Sequence, residues 1–118
     1  MRLYIRFRPY YNVNIIMRFI WDEEKNQRNL AKHKISFETA KLVFKDPFAI
    51  SRLERIVDGE ERWQTMGLIG AVVVILVAHT YQEEDDEAVI RIISARKATS
   101  HERRQYEQSR QQAGKGNP

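Results

Sequence analysis

The sequence contains no cysteine, which excludes a disulfide framework and a thiolate metal site. This composition is typical of a protein of the reducing cytoplasm, where we expect the chain to act. The longest apolar run, Ala71 to Ala78, is far shorter than the ~20 residues that span a bilayer. We therefore expect no membrane partner, and we interpret this run as a central strand.

Several motifs of enzyme chemistry are also missing. Glycine is scarce, with five residues, and none belongs to a phosphate-binding loop. No serine lies in a nucleophile elbow. The three histidines, His33, His79 and His101, lack the spacing of metal ligands. We therefore expect neither a metal ion nor another cofactor.

Charge is distributed unevenly along a chain whose 118 residues fit one domain. Residues 83–87 are all acidic, whereas residues 91–118 hold seven cations against two acids. A basic C-terminal third points to a polyanionic partner. A solvated helix face would look the same, and charge alone favours that simpler interpretation.

The first sixteen residues differ from the rest, since they contain three arginines and no acid. They do not resemble a secretory signal, because arginine, proline and asparagine interrupt their apolar residues. We predict that residues 1–16 are a non-native or disordered extension, 17–112 a single domain and 113–118 a disordered tail. The alternative is that Leu3 to Phe7 forms an extra edge strand.

The remaining pattern predicts an α+β fold, an antiparallel sheet with two N-terminal helices and one C-terminal helix packed on it. Asp22 and Ser36 are expected to cap the first two helices. The strands are predicted at 19–21, 48–52, 62–68, 72–80 and 89–95, with Gly67 and Gly70 marking a turn. The last helix should run from about Ser100 to Gln112.

The junction of the last strand and last helix is the most informative segment. Thr99 and Glu102 have the spacing of a capping box, so the helix should begin just after Ala98. Arg91, Arg96 and Lys97 precede it on a rigid strand. Cations held in this way are well placed to bind a phosphodiester, because no loop must be ordered to bring their charges together.

Cations, histidines and acids without a metal motif suit RNA cleavage through the 2′-hydroxyl group. That reaction needs proton transfer and cations at the charged transition state. We rank His79 first among the histidines, although a strand-end histidine bonded to backbone is an equal alternative. Arg91 lies on an otherwise apolar face, where a cation needs a partner or a ligand. Glu61 and Arg62 are adjacent, so they should face opposite ways.

Together these segments resemble the BrnT toxins, the ribonuclease components of type II toxin–antitoxin pairs. The resemblance rests on Phe19-x-Trp-Asp, Asn29-Leu-x-Lys-His33, Ser36-Phe-Glu-x-Ala40, Phe44-x-Asp-Pro47, Glu61-Arg-Trp63, His79-Thr80, Arg91 to Thr99, Glu102-Arg103 and Tyr106-Glu107. It covers about Met17 to Glu107 and favours Met17 as the start. The family commonly has glycine after the Lys-His pair, where this chain has Lys34.

The resemblance implies a RelE-like fold, an endoribonuclease that arrests translation, and a BrnA-like antitoxin with a DNA-binding domain. Operator DNA would be contacted only through that antitoxin. We expect the catalytic residues to be His79, Arg91, Arg96, Glu61 and Arg62, and the RNA-binding residues to be Lys32, His33, Lys97 and Arg103. The competing interpretation is a non-catalytic module that binds nucleic acid or antitoxin. Histidine and acid beside the cations favour catalysis, because binding alone would not require His79.

Overall fold

The computed structural model describes residues 4–7 and 16–114 of the chain. The fold is α+β. Its elements, in chain order, are β1 (Ile5–Arg6), β2 (Ile16–Ile20), α1 (Glu23–His33), α2 (Phe37–Ala40), a 3₁₀ helix (Lys41–Lys45), β3 (Ile50–Val57), β4 (Glu60–Ile69), β5 (Val73–His79), β6 (Gln82–Glu84), β7 (Glu87–Lys97) and α3 (Ser100–Gly114).

The strands form one sheet in the order β1-β3-β4-β5-β7-β2, and β6 pairs with β7. All pairs are antiparallel except β2 with β7, which run parallel from Ile16 opposite Glu87 to Ile20 opposite Arg91. β5 and β7 pair antiparallel, as the predicted antiparallel sheet expects. The acidic residues 83–87 lie in a tight hairpin between β6 and β7, with Asp85 at a positive φ of 55°.

The first helix begins and ends as its sequence directs. The Asp22 carboxylate accepts hydrogen bonds from the backbone N–H groups of Glu24 and Lys25, as a helix cap does. Lys34 ends the helix in the left-handed conformation, with φ of 61° and ψ of 27°. A residue with a Cβ atom adopts this conformation at a cost of about 1 kcal/mol, which explains why glycine suits the position.

Gly67 lies inside β4, so its prediction as a turn residue was wrong. A Cβ atom at this position would lie 2.7 Å from the Val43 carbonyl oxygen and 2.9 Å from Val43 Cγ1. The glycine therefore allows the 3₁₀ helix to approach the sheet closely. The turn between β4 and β5 consists of Gly70, Ala71 and Val72.

Two cores occupy the two faces of the sheet. On the helix side, Phe37, Val43 and Phe44 pack with alternate residues of β5 and β7, including Ile75, Val77, Ile90 and Ile92. On the other face, Tyr106 of α3 packs with Ile50, Met66, Val74 and Leu76. Both faces of the sheet are thus covered in part, since α3 leaves one end of its face open and Leu53 and Ile56 of β3 stay exposed on the helix side.

The α3 helix is fixed at both its start and its middle. The predicted capping box is confirmed, since Thr99 N–H donates to Glu102 Oε1 at 2.8 Å and Glu102 N–H donates to Thr99 Oγ1 at 3.2 Å. The Tyr106 hydroxyl donates to Asp46 Oδ2 at 2.5 Å, and that oxygen also accepts from Leu68 N–H at 2.7 Å. Asp46 thereby joins α3 to β4. Within residues 4–7 and 16–114, no helix is long and apolar enough to cross a membrane.

The predicted N-terminal extension is described only in part. Ile5–Arg6 pairs with β3, as the edge-strand alternative expects, and Phe7 packs on Phe44 with ring centroids 5.1 Å apart. Residues 1–3 and 8–15, and most of the predicted tail, 115–118, lie outside the described residues. Whether residues 1–16 belong to the native domain stays a prediction.

Candidate functional site

A polar cleft of about 180 Å³ lies at the open end of the sheet, on the face that carries α3. Arg55 and Arg62 pair across β3 and β4, Gln64 and Ala78 across β4 and β5, and Ala78 and Ser94 across β5 and β7. The cleft is lined by Glu54, Arg55, Arg62, Gln64, Leu76, Ala78, Ile93, Ser94 and Arg96. Four neighbouring strands therefore bring arginines and small polar groups together on a rigid surface.

Glu60 holds two of the predicted arginines beside this cleft. Arg91 Nη2 donates to Glu60 Oε1 at 2.6 Å, and Arg62 Nε lies 3.6 Å from the same oxygen. The side chains of Arg91 and Glu60 are each about one-third exposed, at 35% and 34%. Arg62 Nε is buried, and no hydrogen-bond acceptor meets it within the part of the chain that the structure describes. One carboxylate oxygen thus lies between two guanidinium groups, one of which keeps an unused donor.

Arg96 connects the cleft to the start of α3. Its two terminal nitrogens donate to the two oxygens of Glu102 at 2.8 and 3.0 Å. These hydrogen bonds lower the pKa of Glu102 to about 2, and the same contact raises the pKa of Arg96. A bidentate pair has a fixed geometry, so the Arg96 guanidinium is held at the cleft rather than free to move.

His79 lies on the opposite face of the sheet, in the helix-side core. It is 1% exposed, and its ring packs edge-on against Phe44 at 4.9 Å. Burial lowers the pKa of His79 to about 4, so the ring is neutral at pH 7. Nδ1 lies 3.0 Å from the Thr80 carbonyl oxygen, which can only accept, so Nδ1 donates and Nε2 accepts from Thr65 Oγ1 at 2.6 Å. The backbone-bonded alternative matches this geometry.

The other predicted site residues lie outside the cleft. Glu61 is exposed and, as a neighbour of Arg62 on a strand, faces the other way. Lys32 and His33 belong to α1, which packs on β7 through Asn29, bonded to the backbone of Ala95. Lys97, at the end of β7, and Arg103, on α3, are both exposed and complete the set. The structure therefore joins Arg62, Arg91 and Arg96 of the predicted set and separates the others.

Comparison with protein families gives a match over residues 21–102, to the family described as the ribonuclease toxin, BrnT, of type II toxin–antitoxin systems. The chain belongs to the BrnT toxin family. The matched range contains the whole cleft together with Glu60, Arg91 and Glu102. Ribonuclease activity is a property of this family, and membership implies an antitoxin partner.

Among solved structures, the BrnT ribonuclease toxin of Brucella abortus is similar to this BrnT family member. The sequences are 24% identical, the match covers 72% of this chain and 100% of that one, and the TM-score is 0.49. The comparison with curated proteins gives no match. Within the described part of the chain, no three His, Asp or Glu side chains are grouped to hold a metal ion.

Sequence reasoning missed part of the cleft of this BrnT family member. Glu60 and Gln64 share a face with Arg62 by the two-residue period of a strand, as Ser94 does with Arg96. That signal was present, but the predicted strand began at Arg62 and so excluded Glu60. Arg55 was missed because β3 was predicted to end at Arg52, whereas it continues to Val57.

Proposed function

We propose that this BrnT family member is a metal-independent endoribonuclease that arrests translation in the cytoplasm. It would bind RNA in the polar cleft lined by Arg55, Arg62 and Arg96, which we call the arginine cleft. The proposal includes a RelE-like fold, in which the open face of the sheet receives the RNA. Arginine is well suited to this task, because its planar guanidinium group can donate two parallel hydrogen bonds to a phosphate.

The observation that supports the proposal most is the arrangement of Arg62 and Arg91 around one oxygen of Glu60. Arg91 meets that oxygen at 2.6 Å and Arg62 Nε at 3.6 Å, and the Nε donor has no hydrogen-bond acceptor among the described residues. A phosphate oxygen of RNA bound beside Glu60 could accept a hydrogen bond from the unused Arg62 donor and lie next to the Arg91 guanidinium group. The arginines are therefore arranged to meet negative charge.

The reaction we propose is an internal phosphoryl transfer. The 2′-oxygen of one nucleotide forms a bond to the adjacent phosphorus while the bond from phosphorus to the 5′-oxygen breaks. The proton leaves the 2′-hydroxyl group for a base, and the 5′-oxygen takes up a proton. The products carry a 2′,3′-cyclic phosphate and a free 5′-hydroxyl group, so no metal-bound water is consumed.

Within this reaction we assign proton transfer to Glu60, the carboxylate in contact with both arginines. Arg62 and Arg91 would stabilise the negative charge that develops on the phosphate oxygens. Arg96 and Arg55 would bind neighbouring phosphates along the cleft. The roles expected for His79 and Glu61 stay predictions; both residues lie on the sheet face away from the cleft, which is why Glu60 is preferred here.

We further propose that a BrnA-like antitoxin neutralises the toxin by covering this cationic face. A partner with an acidic segment would associate faster with this chain, because the chain carries a formal charge of +4 and opposite charges attract. Operator DNA would be bound only through the DNA-binding domain of that antitoxin. The toxin itself would contact RNA and antitoxin on the same surface.

The proposal is tested with the full-length protein, a single-stranded RNA labelled at its 5′ end, and excess chelator. We expect cleavage with 2′,3′-cyclic phosphate ends, and a loss of about 100-fold or more in Glu60→Gln, because the base is removed. Glu24→Gln is the matched control, since Glu24 pairs with Arg28 on exposed α1. Cleavage abolished by chelator and restored by a divalent ion would contradict the metal-free mechanism.

The competing function is a module that binds RNA or antitoxin without cutting RNA. The burial of His79 favours this alternative, because the histidine expected to transfer protons lies in the core. A protein that binds the labelled RNA in a salt-dependent manner, but leaves it intact under all these conditions, would be such a module.

A further inference from the structure

Among residues 4–7 and 16–114, a strand pairs with the outer side of β3 only at its start. The short β1 strand pairs only with Ile50 and Ser51 of β3. On its other side, β3 pairs with β4 from Ile50 through Val57. Within residues 4–7 and 16–114, the stretch from Arg52 to Val57 therefore has no strand on its outer side, and only its first residue meets the N-terminal segment, with the Arg52 guanidinium carbon 5.2 Å from the Tyr4 ring centroid. Such an edge leaves backbone N–H and C=O groups available to a strand from another chain.

The two faces of this edge carry different chemistry. On the cleft face, Arg52 Nε donates to Gln64 Oε1 at 2.7 Å, and Arg55 pairs across the sheet with Arg62. On the helix-side face, Leu53 pairs with Trp63, and Ile56 pairs with Glu61. Leu53 is 38% exposed and Ile56 is 61% exposed. One face of the edge is therefore cationic and the other is apolar.

Protection against aggregation explains only part of this edge. Natural sheet edges often carry charges and bulges, and β3 has a bulge between Leu53 and Arg55. Those devices account for Arg52, Glu54 and Arg55. They do not account for two exposed aliphatic side chains next to an unpaired backbone, which is the feature expected of a strand-accepting surface.

We propose that the edge of β3 from Arg52 to Val57 accepts an extended segment of the antitoxin as an added strand. Side chains alternate between faces along a strand. The segment should therefore alternate acidic and apolar residues, with acidic side chains over Arg55 and Arg62 and apolar ones over Leu53 and Ile56. The antitoxin is chosen as the partner because the chain belongs to a toxin–antitoxin family. The further claim that this segment inhibits RNA cleavage rests on the proposed function.

The position of this edge explains how binding there would block RNA. Arg55 belongs both to the edge strand and to the cleft, where it neighbours Arg62 of β4. Carboxylates of an added strand would meet these guanidinium groups at the place proposed for RNA phosphates. A single strand could thus use main-chain hydrogen bonds for attachment and its acidic side chains for inhibition.

The probe is a synthetic seven-residue peptide, Glu-Val-Glu-Ile-Glu-Val-Glu, added to the ¹⁵N-labelled full-length protein. We expect saturable shifts of the amide resonances of residues 52–57, while those of residues 70–72 at the opposite end of the sheet stay unchanged. A peptide with lysine in place of glutamate should bind at least about tenfold more weakly, because it meets the arginines with like charge.

A double variant tests the apolar face separately from the cleft. Leu53→Thr with Ile56→Thr places a β-branched side chain, which suits a strand, at both positions and removes aliphatic surface. We expect about tenfold weaker peptide binding and unchanged RNA cleavage by the free protein. Val72→Thr is the matched control, since Val72 is an exposed aliphatic residue in the β4–β5 turn. It should bind the peptide like the original chain.

Three results would overturn the proposal. The first is the absence of shifts at residues 52–57 with millimolar peptide, and the second is equal binding by the lysine peptide. The third is a free protein that sediments as a dimer and becomes monomeric in the double variant, because a second copy would then occupy the edge. Failure of RNA cleavage by the free protein would contradict the proposed function instead, while peptide binding could still be measured.

Discussion

At the scale of single residues, a chain of hydrogen bonds fixes the protonation state of His79. The Thr80 carbonyl oxygen requires a proton on Nδ1, so Nε2 accepts from Thr65. Because the Thr65 hydroxyl donates its proton to His79 Nε2, its oxygen accepts from Ser51 Oγ, which lies 2.7 Å from Thr65 Oγ1. The chain crosses β3, β4 and β5, so it links the strands that carry the cleft on their other face.

The buried histidine should make stability depend on pH. Its pKa is about 4 in the folded protein and near 6.5 in the unfolded chain. Between these values the unfolded chain binds more protons, so the free energy of unfolding should fall as pH decreases from about 6.5 to 4. Urea denaturation at several pH values can measure this slope. His79→Gln should have a flatter slope in that window, and an unchanged slope would show that His79 does not titrate as its burial requires.

Among single residues, sequence reasoning was informative about cations and less so about acids. Arg91 was expected to need a partner on its apolar face, and the structure provides Glu60. Glu60 itself was missed because the partner lies 31 residues away in the chain. Adjacent glutamates at 60 and 61 differ only in the face they occupy, so the start of the strand must be known before either is chosen.

At the scale of elements, helix caps could be predicted and strand lengths could not. Asp22, Ser36 and Thr99 cap their helices because capping depends on residues two or three positions apart. The predicted β3 strand was too short, because the charged residues that follow Arg52 resemble a loop. The stronger signal was Asp58-Gly59, where both residues have positive φ, of 51° and 80°, as a two-residue hairpin turn requires.

The contact of β4 with the 3₁₀ helix gives a test at this scale. Gly67→Ala should destabilise the fold by about 3 kcal/mol, because the new methyl group would press on the Val43 backbone. Gly70→Ala is the comparison: its φ is 64° and nothing lies within 4 Å, so only backbone strain of about 1 kcal/mol is expected. Chemical denaturation measures both values. Equal losses in the two variants would argue against the close approach.

At the scale of the whole molecule, the order of strands follows from contacts distant in sequence. The parallel pairing of β2 with β7 joins residues about 70 positions apart, and no local pattern indicates it. The fold class was predictable because helices and strands are grouped in separate runs along the chain. The arrangement that places arginines from β3, β4 and β7 in one cleft depends on the sheet order and was not.

The N-terminal segment gives a test of the whole domain. The sequence predicts that a chain starting at Met17 is as stable as the full one. The contacts of Ile5–Arg6 with β3 and of Phe7 with Phe44 and Tyr81 lead us to expect a melting temperature lower by several degrees. Differential scanning calorimetry of the two chains decides between these expectations. An unchanged melting temperature would support an extension outside the native domain.

The most direct test of the proposed ribonuclease is the single-turnover cleavage rate of Arg91→Ala on labelled RNA in the presence of chelator. We expect a loss of about 100-fold, because Arg91 would no longer stabilise charge on the phosphate, while circular dichroism shows an intact fold. Arg28→Ala on exposed α1 should cleave at the original rate. Full cleavage by folded Arg91→Ala would contradict the assignment of the arginine cleft as the site of RNA cleavage.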